Sequence, residues 1–132
     1  MLLDQDFPVS SEVQLLGGLG TGERSTANMC SPGIDVDISS EKAKYHCVNS
    51  TSNTYHNDDW VKVEVIVKSN NIVHHIVESD TVISYSNLRV GGDKIPENYL
   101  SRLSEPLTDG YISLQSEGHP VEFRNIKIKI LD

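Results

Sequence analysis

The chain has 132 residues, a length that favours one domain, residues 1–132, with a single two-layer core. Its formal net charge of −8 argues against a nucleic-acid or anionic-membrane partner, because both need a basic surface, so a neutral ligand fits better. No apolar run approaches the roughly 18 residues of a membrane span. The start, Met1-Leu2-Leu3-Asp4, lacks the basic and apolar regions of a signal peptide.

The two cysteines, Cys30 and Cys47, are too few for a zinc site, and the neighbouring His46 does not complete a four-ligand spacing. A disulfide between them would close a loop of about 18 residues and stabilise the fold by about 3 kcal/mol. The sequence leaves its formation open. If the disulfide forms, we expect the folded protein in an oxidising compartment.

The first predicted strand covers residues 12–16, where Val13 and Leu15 face one way, and Gly17-Gly18 ends it. The glycine-rich stretch 17–22 is followed by neither Lys-Ser/Thr nor a helical pattern, so it predicts a loop and not a phosphate site. A strand with an acidic exposed face is predicted at 34–38, after a Pro-Gly turn, and a short strand at 45–48.

The clearest strand pattern runs from Trp60 to Lys68, with valines on one face, and residues 69–71 form a hairpin turn. The returning strand 72–77 places His74 and His75 on opposite faces, which excludes joint binding of one metal ion. Such a strand histidine is usually structural. Trp60 is interpreted mainly as a packing residue at the head of a core strand, although Tyr55, Trp60 and Tyr111 are also candidates for stacking on sugar rings.

A further strand is predicted at 81–85, after which the pattern breaks between Asn87 and Asp109. Pro96 to Leu103 predicts one or two helical turns. The total of about seven to nine short strands with hairpin turns and little helix predicts an all-β protein, an antiparallel β-sandwich.

The C-terminal stretch has two apolar-alternating runs, 111–115 and 121–131, joined by the polar segment 116–120, which is typical of a β-hairpin. A change of face along the second run suggests a bulge near Asn125. This hairpin groups six polar residues: Gln115, Glu117, His119, Glu122, Arg124 and Asn125. Spacing alone favours a solvated hairpin tip with ordinary cross-strand pairs.

Five segments of the chain together resemble the 3-keto-disaccharide hydrolase domain family, long filed as a domain of unknown function. They are Phe7 to Gly18, Glu23 to Gly33, Tyr55 to Val61, His75 to Val77, and Gly110 to Ile126. The matches keep their order and spacing over nearly the whole chain. The resemblance implies a concanavalin A-like jelly roll related to laminarinase-type glucanases.

The chain departs from the family pattern in two places. Family domains usually have a block of strands upstream of the segment matching Glu12, so we expect a truncated sandwich. A homo-oligomer is then expected to cover the surface left by the missing strands. The family's Asn-Gly turn is here Glu78-Ser79, which disfavours a type I′ turn and suggests a different loop.

The resemblance implies a sugar-binding cleft on the concave face of the sandwich, with Glu12 as catalytic acid or base and His119 as proton-transfer partner. It implies five substrate-binding residues: Gln14, Arg24, Gln115, Glu117 and Arg124. No metal ion and no cofactor is predicted. Glycosidases use two carboxylates, here Glu12 with Glu117 or Glu122. A 3-keto sugar also has an acidified neighbouring C–H, so β-elimination with a single base is an alternative route.

The resulting functional prediction is a glycoside hydrolase-like protein acting on 3-keto-disaccharides or related sugars. The alternative is a non-catalytic carbohydrate-binding or homo-oligomeric assembly domain derived from that family. Both interpretations expect a carbohydrate ligand or a second copy of the chain as partner. The family suggests an extracytoplasmic location.

Overall fold

The protein consists almost entirely of short β-strands, and the computed structural model describes residues 9–69 and 71–131. In chain order the strands are β1 (Glu12–Gln14), β2 (Asn28–Cys30), β3 (Ile34–Ile38), β4 (Glu41–Lys42), β5 (Cys47–Val48), β6 (Val63–Lys68), β7 (Ile72–Val77) and β8 (Asp80–Val90). A 3-10 helix at Glu97–Arg102 follows them. Among the described residues, no helix has the length and apolar character needed to cross a membrane.

The strands form two antiparallel sheets. The three-stranded sheet has the order β1-β2-β5, and the five-stranded sheet has the order β4-β3-β8-β7-β6. Met29 of β2 packs against Ile34 and Val36 of β3, Val73 of β7 and Tyr85 of β8. Because these residues come from both sheets, the sheets pack face to face, which confirms the predicted all-β sandwich.

A disulfide bond fixes the middle of the three-stranded sheet. Cys30 of β2 and Cys47 of β5 are direct partners in the antiparallel register, with their Cα atoms 4.1 Å apart. Their sulfur atoms are bonded, which answers the question that the sequence left open. The bond holds β5, only two residues long, against β2.

The β6–β7 hairpin confirms the central strand prediction in part. Val65 pairs with His75 and Val67 with Val73, so these valines lie on the core face of the five-stranded sheet. His75 is fully buried, whereas His74 points to the other face, as predicted. Trp60, however, lies outside β6 with 48% of its surface exposed, so its interpretation as a core packing residue is wrong.

Strand lengths account for the other differences in the first 110 residues. β2 and β4 have three and two residues, too few for a visible alternation, and the sequence did not predict them as separate strands. β8 runs to Val90, beyond the predicted end at Tyr85, although the positive φ of 55° at Asn87 marks the predicted break. The expected helical turns are present as the 3-10 helix after Pro96. Asn70, in the predicted hairpin turn, lies outside the described residues.

The predicted C-terminal hairpin is only partly present. Residues 110–131 contain no strand, although a polar turn forms in which the Ser116 hydroxyl donates to the His119 carbonyl at 2.9 Å. Asn125 has a φ of 56°, so the backbone is irregular where a bulge was expected. The strand prediction is wrong because a strand needs backbone hydrogen bonds to a neighbouring strand, and an alternation of apolar side chains does not provide them. The segment's apolar side chains are exposed, and Ile130 reaches 88%.

The turn between β7 and β8 also contradicts the sequence prediction. Val77 pairs with Asp80, which leaves Glu78 and Ser79 as a two-residue loop. Both have positive φ, 47° and 81°, as a type I′ turn requires. The Glu78 carboxylate accepts a hydrogen bond from the Lys62 amide at 2.6 Å, and this contact supports the turn.

We expect Ser79→Gly to stabilise the protein, because glycine adopts positive φ without steric cost and the Lys62–Glu78 contact is retained. The gain should be about 1 kcal/mol, which corresponds to a rise in Tm of roughly 3 °C in thermal unfolding. Ser79→Ala, which keeps the Cβ atom, is the matched control and should give no such rise. An unchanged or lower Tm for Ser79→Gly would contradict this account of the turn.

Candidate functional site

Glu12 stands on β1, which forms one edge of the three-stranded sheet. It pairs with Cys30, which in turn pairs with Cys47, so Glu12 lies in line with the disulfide bond. Burial, and next the negative charge of Glu117, raise the pKa of this half-buried carboxyl above its usual range. A carboxyl with a raised pKa is a stronger base when ionised, which suits proton transfer near neutral pH.

Glu117 is the second carboxylate whose charge reaches Glu12, as the sequence reasoning allowed. It lies in the exposed turn at 116–119 of the C-terminal segment. The Nδ1–H group of His119 donates a hydrogen bond to the Glu117 carbonyl at 3.0 Å, because a carbonyl oxygen can only accept. This bond orients the His119 ring within the same turn. The structure therefore brings the charge of Glu117 within reach of Glu12 and places His119 in the same turn as Glu117.

Gln14 lies two residues after Glu12 on β1, so the two side chains share one face of the strand. Its side-chain oxygen accepts a hydrogen bond from the Asn28 amide group at 3.2 Å. Asn28 is buried and accepts bonds from the Ser25 hydroxyl and the Ser50 amide. Gln14 is thus fixed next to Glu12 by a buried partner.

Arg24 braces the glycine-rich loop at residues 17–22. Its Nη1 atom donates to the Gly17 carbonyl at 2.9 Å, and its backbone amide donates to the Thr54 hydroxyl at 2.7 Å. Gly18 donates to the Tyr55 carbonyl at 2.6 Å. The structure gives Arg24 a role in shaping the loop after β1.

Arg124 and Gln115, two further predicted residues, both belong to the C-terminal segment. The Arg124 guanidinium lies 4.0 Å from the centre of the Trp60 ring, a cation–π contact. Gln115 is exposed. The segment therefore meets the rest of the chain near Glu12, through Glu117, and at Trp60, through Arg124.

Two residues near Glu12 were not predicted as site residues. Coulombic interactions with His46 and Lys94 lower the pKa of Glu12 and partly offset the effect of burial. The His46 carbonyl accepts bonds from the amide and the hydroxyl of Ser31, at 2.7 and 3.2 Å, and His46 precedes the disulfide-bonded Cys47. In the sequence, only the position of His46 beside Cys47 signalled a fixed histidine.

Within residues 9–69 and 71–131, no group of three or more His, Cys, Asp or Glu side chains is arranged to hold a metal ion. The described site consists of carboxylates, amides, imidazoles and cationic groups. These groups suit hydrogen bonding to hydroxyls and proton transfer.

The fold defines a β-sandwich domain with a half-buried carboxylate, Glu12, at one sheet edge. The sequence family described as the 3-keto-alpha-glucoside-1,2-lyase-like domain matches residues 1–129. The chain therefore belongs to that family, which confirms the resemblance seen in the sequence. No curated protein and no solved structure matches the chain significantly.

We expect Glu12→Gln to stabilise the protein at neutral pH, because the variant avoids burying a charge. The pKa of Glu12 is higher in the folded than in the unfolded state, so its contribution to the free energy of unfolding is fully present below the unfolded-state pKa of about 4.3. This contribution is lost as the pH rises through the folded-state pKa. The variant should therefore gain roughly 2 °C in Tm at pH 7, a small effect for a half-exposed group, and nothing at pH 4. Thermal unfolding at both pH values measures this difference.

Glu41→Gln is the matched control, because Glu41 is an exposed strand glutamate on β4. It should show no comparable gain at pH 7. A Glu12→Gln variant that is less stable than the wild type at pH 7 would contradict the proposed cost of burying this carboxylate.

Proposed function

We propose that the protein cleaves the glycosidic bond of 3-keto-glucosides, including 3-keto-disaccharides, with Glu12 as the base. The observation that carries this proposal is the position of Glu12, half-buried at the β1 edge beside Glu117 with a raised pKa. Membership of the 3-keto-alpha-glucoside-1,2-lyase-like family supports the substrate class.

The chemistry follows from the ketone at C3, which acidifies the proton on C2. Glu12 removes that proton, the electron pair of the C2–H bond forms a C1=C2 double bond, and the C1–O bond breaks. The departing oxygen takes a proton from His119, so an alcohol or a sugar is released. Addition of water across the double bond, hydrogen to C2 and hydroxide to C1, completes a net hydrolysis.

The remaining site residues position the sugar in this proposal. Gln14, held by Asn28, presents an amide on the same face as Glu12. Gln115 and Glu117 offer hydrogen-bonding groups from the C-terminal segment, and Arg124 offers a guanidinium beside Trp60. Arg24 acts through the loop that it braces.

The test is product release from a panel of 3-keto-glucosides by the wild type and by Glu12→Gln. We expect turnover by the wild type and a loss of at least about 100-fold in the variant, the usual contribution of a general base. Glu97→Gln, at an exposed glutamate in the first turn of the 3-10 helix, is the carboxylate control and should retain wild-type turnover. Equal rates for the wild type and Glu12→Gln would contradict the assignment of the base.

A second candidate function, assembly through a second copy of the chain, is favoured by the C-terminal segment. Ile126, Ile128 and Ile130 are exposed and alternate with Lys127 and Lys129, the pattern of a strand that lacks its partner. Residues 110–131 carry three basic and two acidic side chains, whereas the whole chain has a net charge of −8. The segment is thus suited to an acidic partner such as this chain.

Edge strand β6 is the docking site that we propose on the second copy. Val65 and Val67 lie on its core face with 45% and 64% of their surfaces exposed, and Glu64 lies on its outer face. An added strand would place its isoleucines beside the valines and its lysines on the side of Glu64. Such pairing would cover both apolar surfaces.

Light scattering over a wide concentration range tests this assembly. We expect a dimer for the wild type and a monomer for Ile128→Lys, because a lysine at that position would place a charge among the apolar contacts. Leu103→Lys, at another exposed apolar residue outside the segment, should remain dimeric. A wild-type protein that is monomeric at every concentration would contradict the proposal.

The Cys30–Cys47 disulfide supports an oxidising, extracytoplasmic location for the folded protein.

A further inference from the structure

A cavity of about 110 Å³ opens beside the Glu12 site, between the β3–β5 region and the loop after β8. Its polar lining includes Asp35, Lys42, Tyr45, His46 and Asp93. This volume holds one sugar unit at most and excludes a whole disaccharide, since pockets for larger ligands are several times this size.

The floor of the cavity is polar. Asp35 and Lys42 form an ion pair at 2.9 Å, in which the Asp35 side chain is only 17% exposed. Asp35 lies against Gly91 and Gly92 so closely that a Cβ atom at either glycine would collide with it or with the Ile34 carbonyl. The Gly33 amide donates to the Asp93 carbonyl at 3.0 Å, which ties this loop to β3.

One wall of the cavity presents an exposed aromatic ring. Tyr45 is 64% exposed, and the Lys44 ammonium lies 5.3 Å from its ring centre. An apolar ring face next to charged hydrogen-bonding groups suits a sugar, which has both apolar C–H faces and hydroxyl edges.

The cavity lies next to the proposed Glu12 site, because residues in or next to its lining interact with Glu12. His46 lines the cavity, and Lys94 directly follows Asp93 of the opposite wall. Ser31 also lines the cavity, and it directly follows Cys30, the strand partner of Glu12. A ligand of two linked rings can therefore extend from Glu12 into the cavity.

We propose that this cavity is the subsite for the leaving sugar unit of a 3-keto-disaccharide, whose keto unit lies at Glu12. This inference rests on the proposed function. The subsite selects disaccharides over glucosides with a small leaving group, because only a second ring contacts Tyr45 and the Asp35–Lys42 pair.

The kinetic test compares kcat/KM for an α-linked 3-keto-disaccharide of glucose with that for methyl 3-keto-α-glucoside. We expect the ratio of the two values to fall about tenfold in Tyr45→Ala, the loss of one aromatic contact. Asp93→Asn, on the opposite wall, should lower the ratio in the same direction. Tyr99→Ala is the matched control, because Tyr99 carries a cation, Arg102, 5.4 Å from its ring but lies on the 3-10 helix. An unchanged ratio in Tyr45→Ala would overturn the subsite.

A binding measurement separates this inference from the proposed activity. Free glucose at millimolar concentration should shift the backbone amide NMR signals of Tyr45, His46 and Gly92 in the wild type and less in Tyr45→Ala. If no 3-keto-glucoside is cleaved but these shifts occur, the proposed activity fails and the subsite stands. If glucose leaves these signals unchanged, or shifts them equally in Tyr45→Ala, the subsite is overturned.

Discussion

A buried hydrogen-bond chain through His75 joins the two sheets, and the position of Glu12 depends on it. The Nδ1–H group of His75 donates to the Ala27 carbonyl at 2.8 Å, so Nε2 carries no proton and accepts from the Tyr85 hydroxyl at 2.9 Å. The Tyr85 oxygen in turn accepts from the Ser11 hydroxyl at 2.6 Å. Burial lowers the pKa of His75 and raises that of Tyr85 to about 12, so both rings are neutral at pH 7. Since Ser11 directly precedes Glu12, a core hydrogen bond fixes the start of β1.

The disulfide bond supports the same strand from the other side. Glu12, Cys30 and Cys47 form one row across the three-stranded sheet, and that sheet has only eight residues in its strands, three each in β1 and β2 and two in β5. Few ladder hydrogen bonds hold such a sheet, so a covalent link between β2 and β5 has a large share in its order. The same link holds His46, the residue before Cys47, where it interacts electrostatically with Glu12. The sandwich core and the disulfide thus together set the surroundings of the proposed base.

The sequence predicted the long, regular parts of the fold and missed what depends on tertiary context. β3, β6 and β7 have five or six residues, enough for alternation to be visible, and His75 was correctly interpreted as structural. The Glu78-Ser79 turn was not predictable from turn preferences, because its geometry follows from the register of β7 and β8 and from the Lys62 contact. His46 was missed because its relation to Glu12 exists only once the two cysteines meet. The prediction that Trp60 packs in the core was wrong because its ring stacks against the Arg124 guanidinium outside the core.

The C-terminal segment connects the two candidate functions. It carries Gln115, Glu117, His119 and Arg124, four of the seven predicted site residues, yet residues 110–131 form no strand with the sheets. The charge of Glu117 near Glu12 and the stacking of Arg124 on Trp60 are contacts of exposed side chains, which contribute little free energy against the entropy of an unpaired backbone. A partner strand that paired with this segment would fix its backbone and, with it, the geometry of Glu117 and His119 relative to Glu12. In the proposed function, assembly and catalysis are therefore coupled, because the segment proposed to pair with a second copy carries four of the seven predicted site residues.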